Sequence, residues 1–159
     1  MRSNVLIAGG IFHPFDESSA ALAGILEEAG VESRIFTDVD EAVATAVADD
    51  ADMLTVNALR WRMKTGDKYA PYRDEWAYAV PQSTRDRLAT FVASGGALLG
   101  LHTASICFDD WPGWRELLGG RWRWGESRHP PLGPVSAYPA PQDHAVTRGI
   151  EPFEVNDEV

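Results

Sequence analysis

The stretch "GALLGLHTAS", Gly96 to Ser105, decides how this chain folds. An apolar run of strand length stops at a histidine and turns at once into small residues. Preceded by a helical pattern that ends in Gly95-Gly96, it is a buried strand of an α/β sheet, and in open α/β sheets ligands sit at the carboxyl ends of the strands. "GLHTA" has the layout of a nucleophile elbow, a tight strand-to-helix turn whose central side chain stands above the sheet. Here histidine, His102, occupies the nucleophile's place.

The pattern repeats towards the N-terminus. "NVLIAGG" (4–10) is a continuous aliphatic run closed by glycines, as expected of a parallel strand covered on both faces. In "SSAALAGILEEAG" (18–30), Leu22, Ile25, Leu26 and Ala29 fall at helical spacing and Gly30 supplies a stop. "ESRIFTD" is a second strand, "DEAVATAVADD" a second helix and "DMLTVNA" a third strand. Strands alternating with helices imply a parallel sheet. The polar and aromatic stretch from Leu59 to Pro81 has no helical period and is long enough for a lid or binding loop. "STRDRLATFVASGG" (83–96) restores a helix, with Ser83 or Thr84 as N-cap and Leu88, Phe91 and Val92 on one face. Beyond Asp109, Trp, Pro, Arg and Gly dominate, with a short helix at "GWRELLGG" and strands at "PVSAY" and "PFEVNDEV".

Composition narrows the function classes. With 159 residues, 45% of them hydrophobic, the chain suits a single domain over residues 1–159 with one sizeable core. A net charge of −10 without any Lys/Arg run offers no footprint for nucleic acid or an anionic membrane surface. No apolar stretch approaches bilayer length and Met1 to Gly10 lacks a signal-peptide pattern, so a cytoplasmic location is expected. The lone Cys107 fits a reducing compartment; within the apolar "SICF", a buried inert thiol is its commoner fate.

Three strand ends offer polar groups: Phe12-His13 after the first strand, Asn57 after the third, and His102-Thr103 after the fourth. Imidazole titrates near physiological pH and binds metal when neutral, so His102 is a candidate ligand or acid/base group. Trp61 and Trp76 in the long loop offer flat faces for a sugar ring, and Arg60, Arg62, Lys64, Lys68 and Arg73 beside them form the nearest approach to a basic cluster. Trp114, spaced helically with Leu117 and Leu118, belongs to the core.

Taken together, "FVASGGALLGLHTAS", "WPGWRELLGGRW", "RHPP" and "DHAVTRGIEPFEVNDEV" resemble the ThuA-like, or trehalose-utilisation, family of the class I glutamine amidotransferase-like superfold. The match is dense from Ser83 to Val159 and thinner over the first strand and helix, where "GGIFHPF" also fits. The resemblance implies a flavodoxin-like three-layer α/β sandwich with a mostly parallel sheet, carrying histidine where true amidotransferases carry cysteine. By matching position it marks His102, His129 in "RHPP", His144 in "DHAVT", and Asp157-Glu158 in "NDEV". It implies metabolism of trehalose or other disaccharides by way of keto-sugars. Family members continue past the "DE" motif into further strands, so a fragment, or a sheet edge covered by a partner subunit such as a homodimer mate, is expected.

The resulting expectation is a carbohydrate enzyme, not a glutaminase, acting on a keto-sugar or disaccharide derivative. His102 and His129 hold the sugar oxygens or a metal; Asp157 or Glu158 is the general base; His13, Asn57, Trp61, Thr103 and His144 contact substrate. His13, His102 and His129, with a carboxylate, would supply the ligands of a divalent metal such as zinc, although no HxH or HExxH spacing supports them. The rival is a non-catalytic carbohydrate-binding or regulatory module built on the same pocket.

Overall fold

A computed structural model describes residues 1–140 and 144–158. They fall into two compact units, Met1–Trp122 and Arg123–Val159, each described by itself. Asp143 of the "DHAVT" motif and the terminal Val159 lie outside the described residues.

The first unit is a parallel sheet of strands β1 (Arg2–Gly9), β2 (Val31–Phe36), β3 (Met53–Ala58) and β4 (Ala97–Gly100), in the order β2-β1-β3-β4. Its architecture is flavodoxin-like, with helices on both faces. On one face lie α2 (Val39–Ala48), α4 (Gln82–Ala93) and α5 (Pro112–Leu118). Val5 and Ile7 of β1 and Leu54 and Val56 of β3 meet Val39, Ala42, Val43 and Ala46 of α2 and Leu88 and Phe91 of α4 in one cluster. Alternate residues of the same strands face the other way, because side chains in a strand point to opposite faces in turn. That second face carries a polar ladder: Thr55 donates to Asn4 Oδ1 at 2.9 Å, and Asn4 Nδ2 donates to Ser33 Oγ at 3.0 Å. Buried polar groups satisfied in this way tie three strands together without a desolvation penalty left over.

Helix α1 (Phe15–Glu28) covers the second face. Of the expected positions Leu22, Ile25, Leu26 and Ala29, only Leu22 and Leu26 belong to its inward stripe. Phe15 and Ser19 are buried and Leu22 and Leu26 half-buried, an i, i+4, i+7, i+11 series, whereas Ile25 falls off that stripe and is 64% exposed.

Helix α4 also starts differently from the Ser83 or Thr84 cap expected. Its N-cap is Pro81, and Thr84 is buried with its hydroxyl donated to the Asp40 carboxylate, which also accepts from the Tyr78 hydroxyl at 2.7 Å. Asp40 thus joins α2, the long loop and α4 through one acceptor. Trp114 of α5 is buried as expected, and its indole donates to the Ala104 carbonyl at 2.9 Å.

The second unit is a two-stranded antiparallel sheet of β5 (Gly133–Ala137) and β6 (Phe153–Asp157), with Val135 opposite Val155. All five residues of β6 are exposed. Among the described residues no helix is long and apolar enough to cross a membrane.

Candidate functional site

Strand β1 ends in two glycines, and the second has no alternative. Gly10 has φ +147°, and a Cβ there would lie 2.8 Å from both Leu59 Cβ and the Phe15 ring. This close approach lets the chain fold back over a small cluster of Ile11, Phe15, Leu59, Trp61, Met63 and Tyr69. Anchored by that cluster, the next two residues stand outward: Phe12 and His13 are both exposed.

The end of β4 makes a similar turn. Leu101 still donates to the Val56 carbonyl at 3.0 Å, and the chain then enters a 3-10 turn over His102–Ser105. His102 has φ +44°, a left-handed conformation that a non-glycine residue adopts only where its surroundings hold it there. Its side chain is exposed. This is the elbow geometry expected of "GLHTA", with imidazole at the apex. The His102 and His13 rings meet edge to face, centroids 4.9 Å apart. Two strand ends distant in sequence therefore bring two imidazoles together on one exposed surface.

The third strand end is closed. Asn57 is 7% exposed, and its Nδ2 donates to Ser18 Oγ and Ser19 Oγ, both at 2.9 Å. Expected to contact substrate, it instead fastens β3 to α1. Thr103, also expected to contact substrate, is buried with its hydroxyl donated to the Ala58 carbonyl at 2.7 Å. The same carbonyl accepts from the Cys107 thiol at 3.2 Å. Cys107 is buried, and burial pushes its thiol up to about 12, so the thiolate that a nucleophile or metal ligand requires is suppressed. The inert-thiol reading of Cys107 agrees with this geometry.

The long loop differs from a plain lid. It contains a 3-10 segment (Asp67–Tyr72) and one helical turn, α3 (Arg73–Trp76). Trp61, expected to offer a stacking face, is 1% exposed and packs edge-on to Tyr69 at 5.1 Å. The physical reason is the alternation Leu59-Trp61-Met63, which turns three apolar side chains inward from an extended segment. The basic residues between them are engaged within the unit. Arg60 donates to the Thr37 carbonyl at 2.8 Å and lies 4.4 Å above the Trp76 ring; burial lowers its pKa. Arg62 pairs with Asp109 at 3.2 Å, a bond that raises its pKa, and Arg73 donates to the Met63 and Gly66 carbonyls.

In the second unit, His129 Nδ1 lies 3.3 Å from a Glu158 carboxylate oxygen and 3.1 Å from the Pro130 carbonyl. Asp157 accepts from the Glu158 backbone N–H at 2.7 Å. His144 accepts from the Val146 N–H at 3.1 Å, a local turn contact. Among the described residues no group of three or more His, Cys, Asp and Glu side chains comes together that could hold a metal. Within the first unit, His13 and His102 supply two of the three imidazoles of the expected metal set, and His129 belongs to the second unit.

Phe12, beside the imidazole pair, is not singled out by the sequence: nothing in "GGIFHP" separates it from Ile11 before it, which is buried.

Among curated proteins none matches the chain. Among solved structures, a protein described as ThuA-like from Parabacteroides merdae ATCC 43184 matches with a TM-score of 0.54 at 20% identity, over 99% of this chain and 48% of that one. At that identity the likeness shows the fold, and this chain spans about half the length of its neighbour. The sequence pattern of the ThuA family, described as trehalose utilisation, matches residues 5–159. That match spans nearly all of the sequence, and the chain belongs to the ThuA family.

Proposed function

We propose that the chain acts on a carbohydrate, a keto-sugar or disaccharide derivative, at the surface where His102 and His13 meet. The observation that carries this reading is the imidazole pair itself, at 4.9 Å between centroids, exposed at the carboxyl ends of two parallel strands. A family described as trehalose utilisation supports a carbohydrate-related role.

Imidazoles so placed can donate to a sugar carbonyl or hydroxyl oxygen and so stabilise the negative charge that develops when a proton leaves the neighbouring carbon. The reaction class we assign is proton abstraction beside a carbonyl. At this surface one imidazole of the pair can hold the oxygen while the other takes the proton; Asp157 and Glu158 belong to the second unit, where Glu158 engages the His129 imidazole. Cys107 has no part in it, since its thiol is buried and protonated.

The test is solvent exchange. A keto-disaccharide prepared from trehalose is incubated with the protein in D2O, and NMR follows loss of the proton next to the carbonyl. Wild type is expected to exchange it, and His102→Ala to slow exchange by about 10²-fold or more. Equal exchange in wild type and variant would remove His102 from the mechanism. Binding of the sugar without any exchange would replace the enzyme by the binding module.

A further inference from the structure

Phe12 carries two unfavourable features at once. Its backbone has φ +71°, a region that costs a bulky L-residue on the order of 1–2 kcal/mol. Its ring is 62% exposed. It is not among the buried residues of the apolar cluster beneath, which runs from Ile11 to Tyr69. Phe12 is thus both strained and exposed, at the edge of the cluster rather than within it.

The ring is nonetheless well positioned. Tyr72, itself 37% exposed, meets it edge-on with centroids 5.4 Å apart at 81°, and Tyr69 lies 6.4 Å away. The Lys68 ammonium sits 4.8 Å over the Tyr69 ring, and Tyr69 is buried. That leaves Phe12 as the ring with an open face, braced by Tyr72. The residue that follows Phe12 is His13, whose imidazole meets that of His102. An apolar shelf therefore adjoins a pair of hydrogen-bonding groups, one residue along the chain.

A ligand matching both must have an apolar C–H face and a polar edge. A pyranose ring has this form: axial hydrogens on one face, hydroxyls around the rim. We propose that Phe12, supported by Tyr72, is a stacking subsite for a sugar ring whose oxygens reach His13 and His102. The proposal rests on the carbohydrate reading of the site above and adds to it the residue that selects a ring over an open chain. It places the aromatic platform on the first strand-end turn rather than on the tryptophans of the long loop.

The experiment titrates the full chain with trehalose and, as a probe with hydroxyls but no ring face, sorbitol, by calorimetry. Trehalose is expected to bind more tightly than sorbitol. Phe12→Leu, which keeps apolar bulk without a π-face, should weaken trehalose binding about three- to tenfold and leave sorbitol unchanged, while Phe12→Tyr should restore it. Phe12→Gly, which suits the positive φ, should lose the trehalose preference without lowering the melting temperature. A fall in melting temperature on Phe12→Gly would make Phe12 a structural residue and overturn the proposal. Wild-type trehalose affinity in Phe12→Leu, with binding lost in His102→Ala, would overturn the subsite and leave the carbohydrate reading standing. No binding by wild type of either trehalose or the keto-disaccharide prepared from it would overturn both.

Discussion

The end of β3 and the ends of β1 and β4 lie in one sheet and carry equally polar sequences, yet they are built to opposite specifications. At β3 the side chains are turned into the fold: Asn57 donates to two serines of α1, the Ala58 carbonyl accepts from Thr103 and Cys107, and Trp61 is buried in an apolar cluster. At β1 and β4 the polar and aromatic side chains stand in solvent on left-handed backbone, Phe12 at +71° and His102 at +44°. Satisfied and buried groups contribute stability; strained and exposed ones cost it. Left-handed backbone alone does not make the contrast, since Met63 and Phe108 share it and are buried in the core; it is strain together with exposure that marks Phe12 and His102 as the candidates for binding.

The strongest attempt to break that contrast is Trp61→Ala. If Trp61 belongs to the core, removing its indole leaves a cavity under the loop and should cost about 3–5 kcal/mol in urea unfolding. A loss below about 1 kcal/mol would return Trp61 to the role of a mobile lid residue. Trp61→Phe sharpens the result. The indole N–H is buried and has no hydrogen-bond partner among the described residues, so the phenyl ring should keep most of the stability.

Asn57→Ala comes next. It removes two donors to Ser18 and Ser19 and should destabilise by about 1–2 kcal/mol, because the serine hydroxyls lose a buried partner that water replaces poorly. Carbohydrate affinity measured on the folded fraction should stay within about twofold, less than 0.5 kcal/mol. A large loss of affinity at unchanged stability would place Asn57 with His102 and dissolve the distinction between the two kinds of strand end.

Most of the architecture was legible because parallel strands covered on both faces must be continuous apolar runs, and "NVLIAGG", "DMLTVNA" and "ALLGL" are such runs. The elbow was legible for a related reason: only a reversal explains a histidine between an apolar strand and "TAS". What misled was position taken alone. A polar residue at the end of a strand can face a ligand or a neighbouring helix, and nothing within "TVNA" distinguishes them. The deciding partners, Ser18 and Ser19, lie on another element. In "LRWRMK" (59–64) the alternation was present and marks an extended segment with Leu59, Trp61 and Met63 inward; a search for helical period passes over it. Spacing also hid the fate of the basic residues, since Asp109 and the Thr37, Met63 and Gly66 carbonyls that engage them are set by tertiary approach.

The smallest expected effect tests the idea of strain most directly. Replacing His102 by Ala and by Gly removes the same imidazole and the same ring contact with His13, so both should abolish whatever that imidazole does. They differ in the backbone. Alanine retains a Cβ that disfavours φ +44°, whereas glycine adopts it freely. Relief of that strain is partly offset by the greater entropy glycine has in the unfolded chain, leaving His102→Gly more stable than His102→Ala by about 0.5–1 kcal/mol. Denaturant midpoints measured side by side resolve a difference of that size when the slopes are equal. A glycine variant less stable than the alanine variant would mean that the turn is relaxed as it stands, and the exposure of His102 would then need a cause other than strain held for function.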